Sequence, residues 1–227
     1  MTPRLSILLG ALLLAPAAVA QELDPRNYSP SPVGTAIVLG GFGRSEGGVI
    51  LDPSLEVGNV EADLWFTTPG FGYVFDLGGR QARLVAVVPA VSGEISGEVG
   101  KEIQSQDLEG LSDPRFKLTV GLLGAPALTL DEFASAPRST VLGASLTVVP
   151  PWGQYDSRQL VNLGNNRWAF KPEIGMSHPV GRFTFESYAG VWLFTANDAY
   201  FPGRAERRQD PMISLQGHVA YTFPSRA

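Results

Sequence analysis

The sequence predicts an all-β fold, an antiparallel up-and-down transmembrane β-barrel with about eight visible strands, and three observations predict it. The first is parity. Over residues 166–180, Arg167, Ala169, Lys171, Glu173 and Gly175 alternate with Trp168, Phe170, Ile174 and Met176. After a turn at 178–181, Phe183, Phe185, Ala189, Val191 and Leu193 alternate with Thr184, Glu186, Tyr188, Gly190 and Trp192. Period-two sorting marks a strand with two unlike faces, here one ionic and one rich in rings. The second is length. Most candidate strands run about 10–13 residues, more than soluble strands usually have and close to the ~9–11 that a tilted strand needs to cross a bilayer. The third is the connections: long polar ones follow the first, third, fifth and seventh strands, and tight turns follow the second and sixth. Outer-membrane barrels share this asymmetry.

Composition agrees. The chain has 227 residues, net charge −5, 26 glycines, 18 prolines, 17% charged residues and no cysteine. That suits one domain of many strands and turns rather than a helical bundle. Its scattered arginines form no basic stripe, which excludes a nucleic-acid partner. Lack of cysteine excludes a disulfide framework and fits an oxidising compartment. Residues 1–20, MTPRLSILLGALLLAPAAVA, read as a signal peptide cleaved after Ala20. They are too short and too interrupted by Pro16 for a spanning helix. The mature chain is therefore exported.

Residues 21–33, polar and proline-rich, read as an N-terminal linker, and 34–227 as the barrel domain. The first strand is 34–43, followed by a polar loop at 44–60. The second, 61–75, places Trp65, Phe71, Tyr73 and Phe75 on one parity and ends in the hairpin signal Asp76-Leu77-Gly78-Gly79. The third, 80–91, opposes Leu84 and Ala86 to Arg83 and Val85, and a second polar loop fills 92–112. The fourth, 113–122, sets Phe116, Leu118 and Val120 against Arg115, Lys117 and Thr119. The connector 124–138 contains LTLDEFAS, enough for one or two helical turns, and is long where a tight turn is expected. The fifth strand is 139–149 and the eighth 211–223, separated from the 166–194 hairpin by loops at 150–165 and 195–210. Pro172 removes a ladder hydrogen bond in mid-strand, so a bulge is expected there.

Parity alone also suits a secreted sandwich with rings inside and charges outside. Strand length, loop asymmetry and the aromatics Trp65, Trp168 and Tyr221 near strand ends favour the barrel, with rings on lipid and charges inside. The lumen-lining candidates are Arg83, Arg115, Lys117, Arg167, Lys171, Glu173, Glu186 and His218. They either select solutes at a constriction or pair into an internal network that stiffens and plugs the barrel. Ser177 and His178 are adjacent, but neighbours on a strand face opposite ways, so they form no nucleophile–base pair. No metal-ligand cluster, phosphate-binding loop or nucleophile elbow is present. The expectation is a protein that is not an enzyme and needs no cofactor.

The segments GTAIVLGGFGRSEGGVILDPSLEV, LSDPRFKLTVGLLGAPALTLDEF, GQYDSRQLVNLGNNRWAFKPEIGMSHPVGRFTFESYAGVWLFT and QDPMISLQGHVAYTF resemble the MetA-pathway of phenol degradation family. The pieces around Asp113-Pro114-Arg115 and from Gly153-Gln154-Tyr155 to Glu173 carry it most specifically. The resemblance implies an outer-membrane transporter, with the lipid bilayer and a small hydrophobic or aromatic solute as partners. It also implies further strands beyond residue 227, since eight strands leave an interior just filled by side chains. It assigns no oligomeric state.

Overall fold

The computed structural model describes residues 24–48, 57–99, 102–201 and 205–223. The leader read at 1–20 lies outside them. The strands are β1 (Ala36–Leu39), β2 (Phe42–Gly48), β3 (Val57–Thr67), β4 (Gly70–Asp76), β5 (Gln81–Val87), β6 (Ala90–Val99) and β7 (Glu102–Leu111). Then follow β8 (Arg115–Leu123), a short helix α1 (Leu130–Ser135), β9 (Val141–Val149), β10 (Ala169–Val180), β11 (Phe183–Phe194), β12 (Asn197–Tyr200), β13 (Ala205–Arg207) and β14 (Met212–Tyr221). Eight strands form one antiparallel sheet in the order β1-β4-β5-β8-β9-β10-β11-β14, four form another in the order β2-β3-β6-β7, and β12-β13 make a small hairpin. Each of the eight strands expected from parity contributes one strand to the large sheet, but the first three, read at 34–43, 61–75 and 80–91, are broken and share their residues with β2, β3 and β6 of the smaller sheet. Among the described residues the outer edges of β1 and β14 are unpaired, so the sheet is not closed.

Register makes the two faces continuous. One row crosses the sheet as Tyr73, Leu84, Leu118 and Leu146, each directly opposite the next, and all four are exposed. One residue along, the row is Val85, Lys117, Thr147 and Lys171 on the covered face. The apolar face stays bare to the last strand: Ile174 is 65% exposed and Leu215 75%. Rings gather at both ends of this face. At the turn end Phe183 lies 5.0 Å from Tyr221, and at the loop end Trp168 stacks on Phe170 at 5.9 Å. A strand as long as the 12-residue β11 covers roughly 25–30 Å of height at barrel tilt, about that of a transmembrane apolar band.

Several expectations need correcting. The loops read at 44–60 and 92–112 contain strands β2, β3, β6 and β7, which carry the hairpins on beyond the large sheet. Their alternation is weak because both faces are largely wet. Among the described residues Val60, Ala62, Ile95 and Leu108 form a small core, with Leu64, Val161 and Leu163 packed against it. Backbone ladders hold the rest, with Arg44 gripping Asp63 at 2.7 and 2.8 Å. The break between the two sheets falls at Gly40-Gly41, Pro69, Pro89 and Asp113-Pro114, where Thr68 N donates to Gly41 O, Val88 N to Pro69 O and Ser112 N to Pro89 O. Prolines interrupt the ladder and let each strand re-aim. Trp65 therefore lies in the extension, away from the ends of the large sheet.

Pro172 sits without a bulge. Phe170↔Leu193 and Glu173↔Gly190 keep one register on the β11 side, and Pro172↔Leu146 is regular on the β9 side. The turn after β10 is also tighter than 178–181: His178 and Pro179 remain paired in the strand and Gly181, at φ 58°, makes the turn. The Asp76–Gly79 hairpin forms as read, with Gly78 and Gly79 at positive φ.

The connector after β8 is long because it folds under the sheet. Thr129 caps α1 in a reciprocal box with Glu132. Gln81 N donates to Ala125 O, Ala127 N to Gly79 O and Val33 N to Leu128 O, so the connector is laced to the turn end.

Candidate functional site

The segment read as a linker lies across the covered face of the large sheet. Asn27 alone reaches four strands. Its carbonyl accepts from Arg83 of β5, its Oδ1 from Thr119 of β8 at 3.4 Å, its Nδ2 donates to Glu173 of β10 at 3.2 Å, and its N–H to Tyr188 Oη of β11 at 3.2 Å. In a flat sheet β5 and β11 would stand roughly 19 Å apart at ~4.8 Å per strand. One residue can touch both only because the sheet curls around it.

Tyr28 is the anchor, 3% exposed. Its hydroxyl lies 3.1 Å from Ser145 Oγ and 3.2 Å from Glu173 Oε1, and its ring meets Tyr188 edge-on at 5.0 Å. The ring rests on glycines: a β-carbon on Gly143 would come 2.4 Å from Tyr28, and one on Gly175 2.1 Å. These two glycines sit opposite each other on β9 and β10. Together they leave a shallow seat in the wall.

Charges hold the segment on either side. Lys117 Nζ donates to Asp24 Oδ2 at 2.7 Å and stands 3.7 Å from Glu173. Lys171 and Glu173, both about 1% exposed, pair at 2.9 Å. Glu186 accepts from the Arg26 N–H at 2.8 Å and from Ser29 Oγ at 3.3 Å. Burial of such charges is tolerated because Lys117, Lys171 and Glu173 are paired and Glu186 is hydrogen-bonded.

Of the eight residues proposed from sequence, Arg83, Lys117, Lys171, Glu173 and Glu186 thus meet around residues 24–29. Arg167 does not, and Arg115 and His218 stand at the margin, Arg115 acting on Asp24 through charge and His218 through Gln216, whose Oε1 accepts from Asp24 N at 3.2 Å. Arg115 is exposed at the loop end with its guanidinium 5.7 Å from the Trp192 ring centre. Arg167 precedes β10, donates to Gln209 and lies 4.5 Å over Phe194. His218 shares the covered face but sits on the edge strand β14, beside Tyr188 at 5.2 Å. Ser177 is buried and the adjacent His178 is exposed and bonded to Thr140, on opposite faces as expected.

Sequence reasoning missed Asp24, Asn27 and Tyr28. A lone aromatic among Asp-Pro and Ser-Pro turn signals was the available hint. It also missed what joins the two most family-specific segments. Asp113 Oδ1 accepts from Gly153 N at 2.8 Å, and Oδ2 from Asn165 N at 2.7 Å, tying the 150–165 loop to the hinge before β8.

A curled up-and-down antiparallel sheet, apolar outside, ionic inside and ringed by aromatics at both ends, is the architecture of an outer-membrane β-barrel. In keeping with it, the chain resembles the crystal structure of an outer membrane channel from Pseudomonas putida F1, with a TM-score of 0.65 and 18% identity over 89% of this chain and 72% of that one. The chain belongs to the family described as "Putative MetA-pathway of phenol degradation", whose profile matches residues 40–227. No curated protein matches it.

Proposed function

We propose that this protein is a non-enzymatic outer-membrane channel for small hydrophobic or aromatic solutes, exported by its N-terminal leader, whose interior is occupied by its own residues 24–32. The observation that carries the reading is the division of faces: bare Leu, Ile and Phe outside, and a paired ionic network around Tyr28 inside. Burying the outer face in lipid removes its apolar area from water, and a barrel is the form in which strands can span a bilayer. The family description supplies the link to phenol degradation, and the likeness to a channel supplies the link to passage. In this reading Arg83, Lys117, Lys171, Glu173 and Glu186 seat the N-terminal segment, and Arg115 and Arg167 stand at the loop end of the large sheet.

Liposome swelling tests it. Reconstituted protein lacking residues 24–32 should admit small solutes several-fold faster than the intact chain. Equal, negligible swelling of both would leave a non-transporting barrel with a structural or binding role.

A further inference from the structure

Below residues 24–32, at the turn end, a cavity of about 400 Å³ opens between this segment, the connector carrying α1 and the β10–β11 hairpin. Its walls are apolar and mostly flat: Pro30, Pro126, Leu128, Phe133, Pro137 and Pro179. Two arginines line it, Arg26 and Arg138, and no Asp or Glu does among the described residues. Arg138 is held in place by neutral acceptors, Gly181 O at 3.1 Å and Thr184 Oγ1 at 2.7 Å. Arg26 has no side-chain hydrogen bond or ion pair among the described residues. Its backbone is unusual as well. Arg26 sits at φ 63°, where a β-carbon is disfavoured. It is fixed there by its N–H to buried Glu186 and by its carbonyl, which accepts from Ser29 N. Glycine or asparagine would hold that turn with less strain. The turn therefore does not explain the arginine.

We infer that this cavity binds a small monocyclic aromatic carboxylate. The ring lies among the prolines and Phe133, and the carboxylate meets the guanidinium groups of Arg26 and Arg138. Guanidinium forks match carboxylates in shape and charge, and a concave apolar pocket with few polar groups is the usual form of a small-molecule site. The inference rests on the channel reading only for its setting, as a station at the turn end of the passage.

The full chain, purified in detergent micelles, is titrated calorimetrically with benzoate and with its neutral counterpart benzyl alcohol. Benzoate should bind at least tenfold more tightly. Arg26→Gln should erase the difference, Arg26→Lys should restore part of it, and Phe133→Ala should weaken both ligands. Heat-modifiable gel mobility establishes that each variant is folded, and Arg138→Gln stands in if Arg26→Gln is not. Equal affinity for the two ligands, benzoate affinity unchanged in the arginine variants, or no benzoate binding by the folded chain would overturn the assignment. Benzoate binding without solute flux in liposomes sinks the channel reading alone; flux without benzoate binding sinks the cavity alone.

Discussion

The ring of Tyr28 lies against the backbone of Gly175, so close that a β-carbon there would stand 2.1 Å from Tyr28 Cε2. Gly175→Ala should therefore destabilise the protein by about 1–3 kcal/mol, the usual cost of overpacking, and raise solute permeability as the segment lifts. Removing the ring should relieve most of this: the alanine should cost less in a Tyr28→Ala background. Melting of the two single variants and the double variant measures the coupling, and additive losses would deny that the ring and the glycine meet.

Lys171 and Glu173 are paired in the interior at 2.9 Å. Truncating one takes a 2.9 Å partner from the other, which stays charged and buried with its remaining contacts, so Lys171→Met or Glu173→Gln should be destabilising by up to about 3–5 kcal/mol, the cost of breaking a buried pair. Thermal stability, read from heat-modifiable mobility, should fall before uptake changes. Altered uptake with unchanged melting would instead make this pair a selectivity element.

Ile174 is apolar yet 65% exposed on the outer face, near the middle of β10. Ile174→Arg should cost about 2–4 kcal/mol in a bilayer, as expected for a cation on the lipid face near mid-membrane. In a water-soluble sheet the same change would be nearly neutral. Folding yield into liposomes distinguishes the two.

Asp113 divides its two oxygens between Gly153 N and Asn165 N. Asparagine offers one acceptor oxygen, so Asp113→Asn should keep one of these bonds and lose the other. Asp113→Ala should lose both, leaving partly buried donors unsatisfied at about 1–3 kcal/mol each. Hydrogen exchange at Gly153 and Asn165 should quicken in that order, alanine more than asparagine. Protection that survives the alanine change would show that the loop is held elsewhere.

In the same loop, hydrogen bonds from the Arg158 side chain and then its backbone N–H lower the Asp156 pKa to about 2. A depressed carboxyl adds stability above its unfolded pKa of about 3.9 and loses it as pH falls through the folded value. Loop order should therefore persist through pH 4 and weaken between about pH 4 and 2. Carboxyl NMR titration should find the midpoint near 2, moving up toward 3.9 in Arg158→Gln. An unmoved midpoint would rule out the guanidinium as the main cause.

Parity made the eight strands of the large sheet legible, because a strand with lipid-like surroundings on one side and polar contacts on the other must alternate. It failed for β2, β6, β7 and the start of β3, where, outside the small core of Val60, Ala62, Ile95 and Leu108, water reaches both faces and alternation is weak. Pro172 misled for a related reason: a missing N–H is an expectation about one bond, and the ladder on the β9 side was sufficient to keep register without a bulge.

By itself the sequence determined which residues share a face of each strand, since side-chain direction follows from position along a strand. It also determined where the chain turns, because Gly78, Gly79 and Gly181 supply the positive φ that turns require. Only the tertiary structure decided what the inward charges do. Asp24, Asn27 and Tyr28 are distant in sequence from Arg83, Glu173 and Tyr188, and no local pattern encodes a contact between them. Curling brings strands four places apart in the sheet within reach of one asparagine, and that closeness turns a list of lumen charges into a seat for the chain's own N-terminal segment.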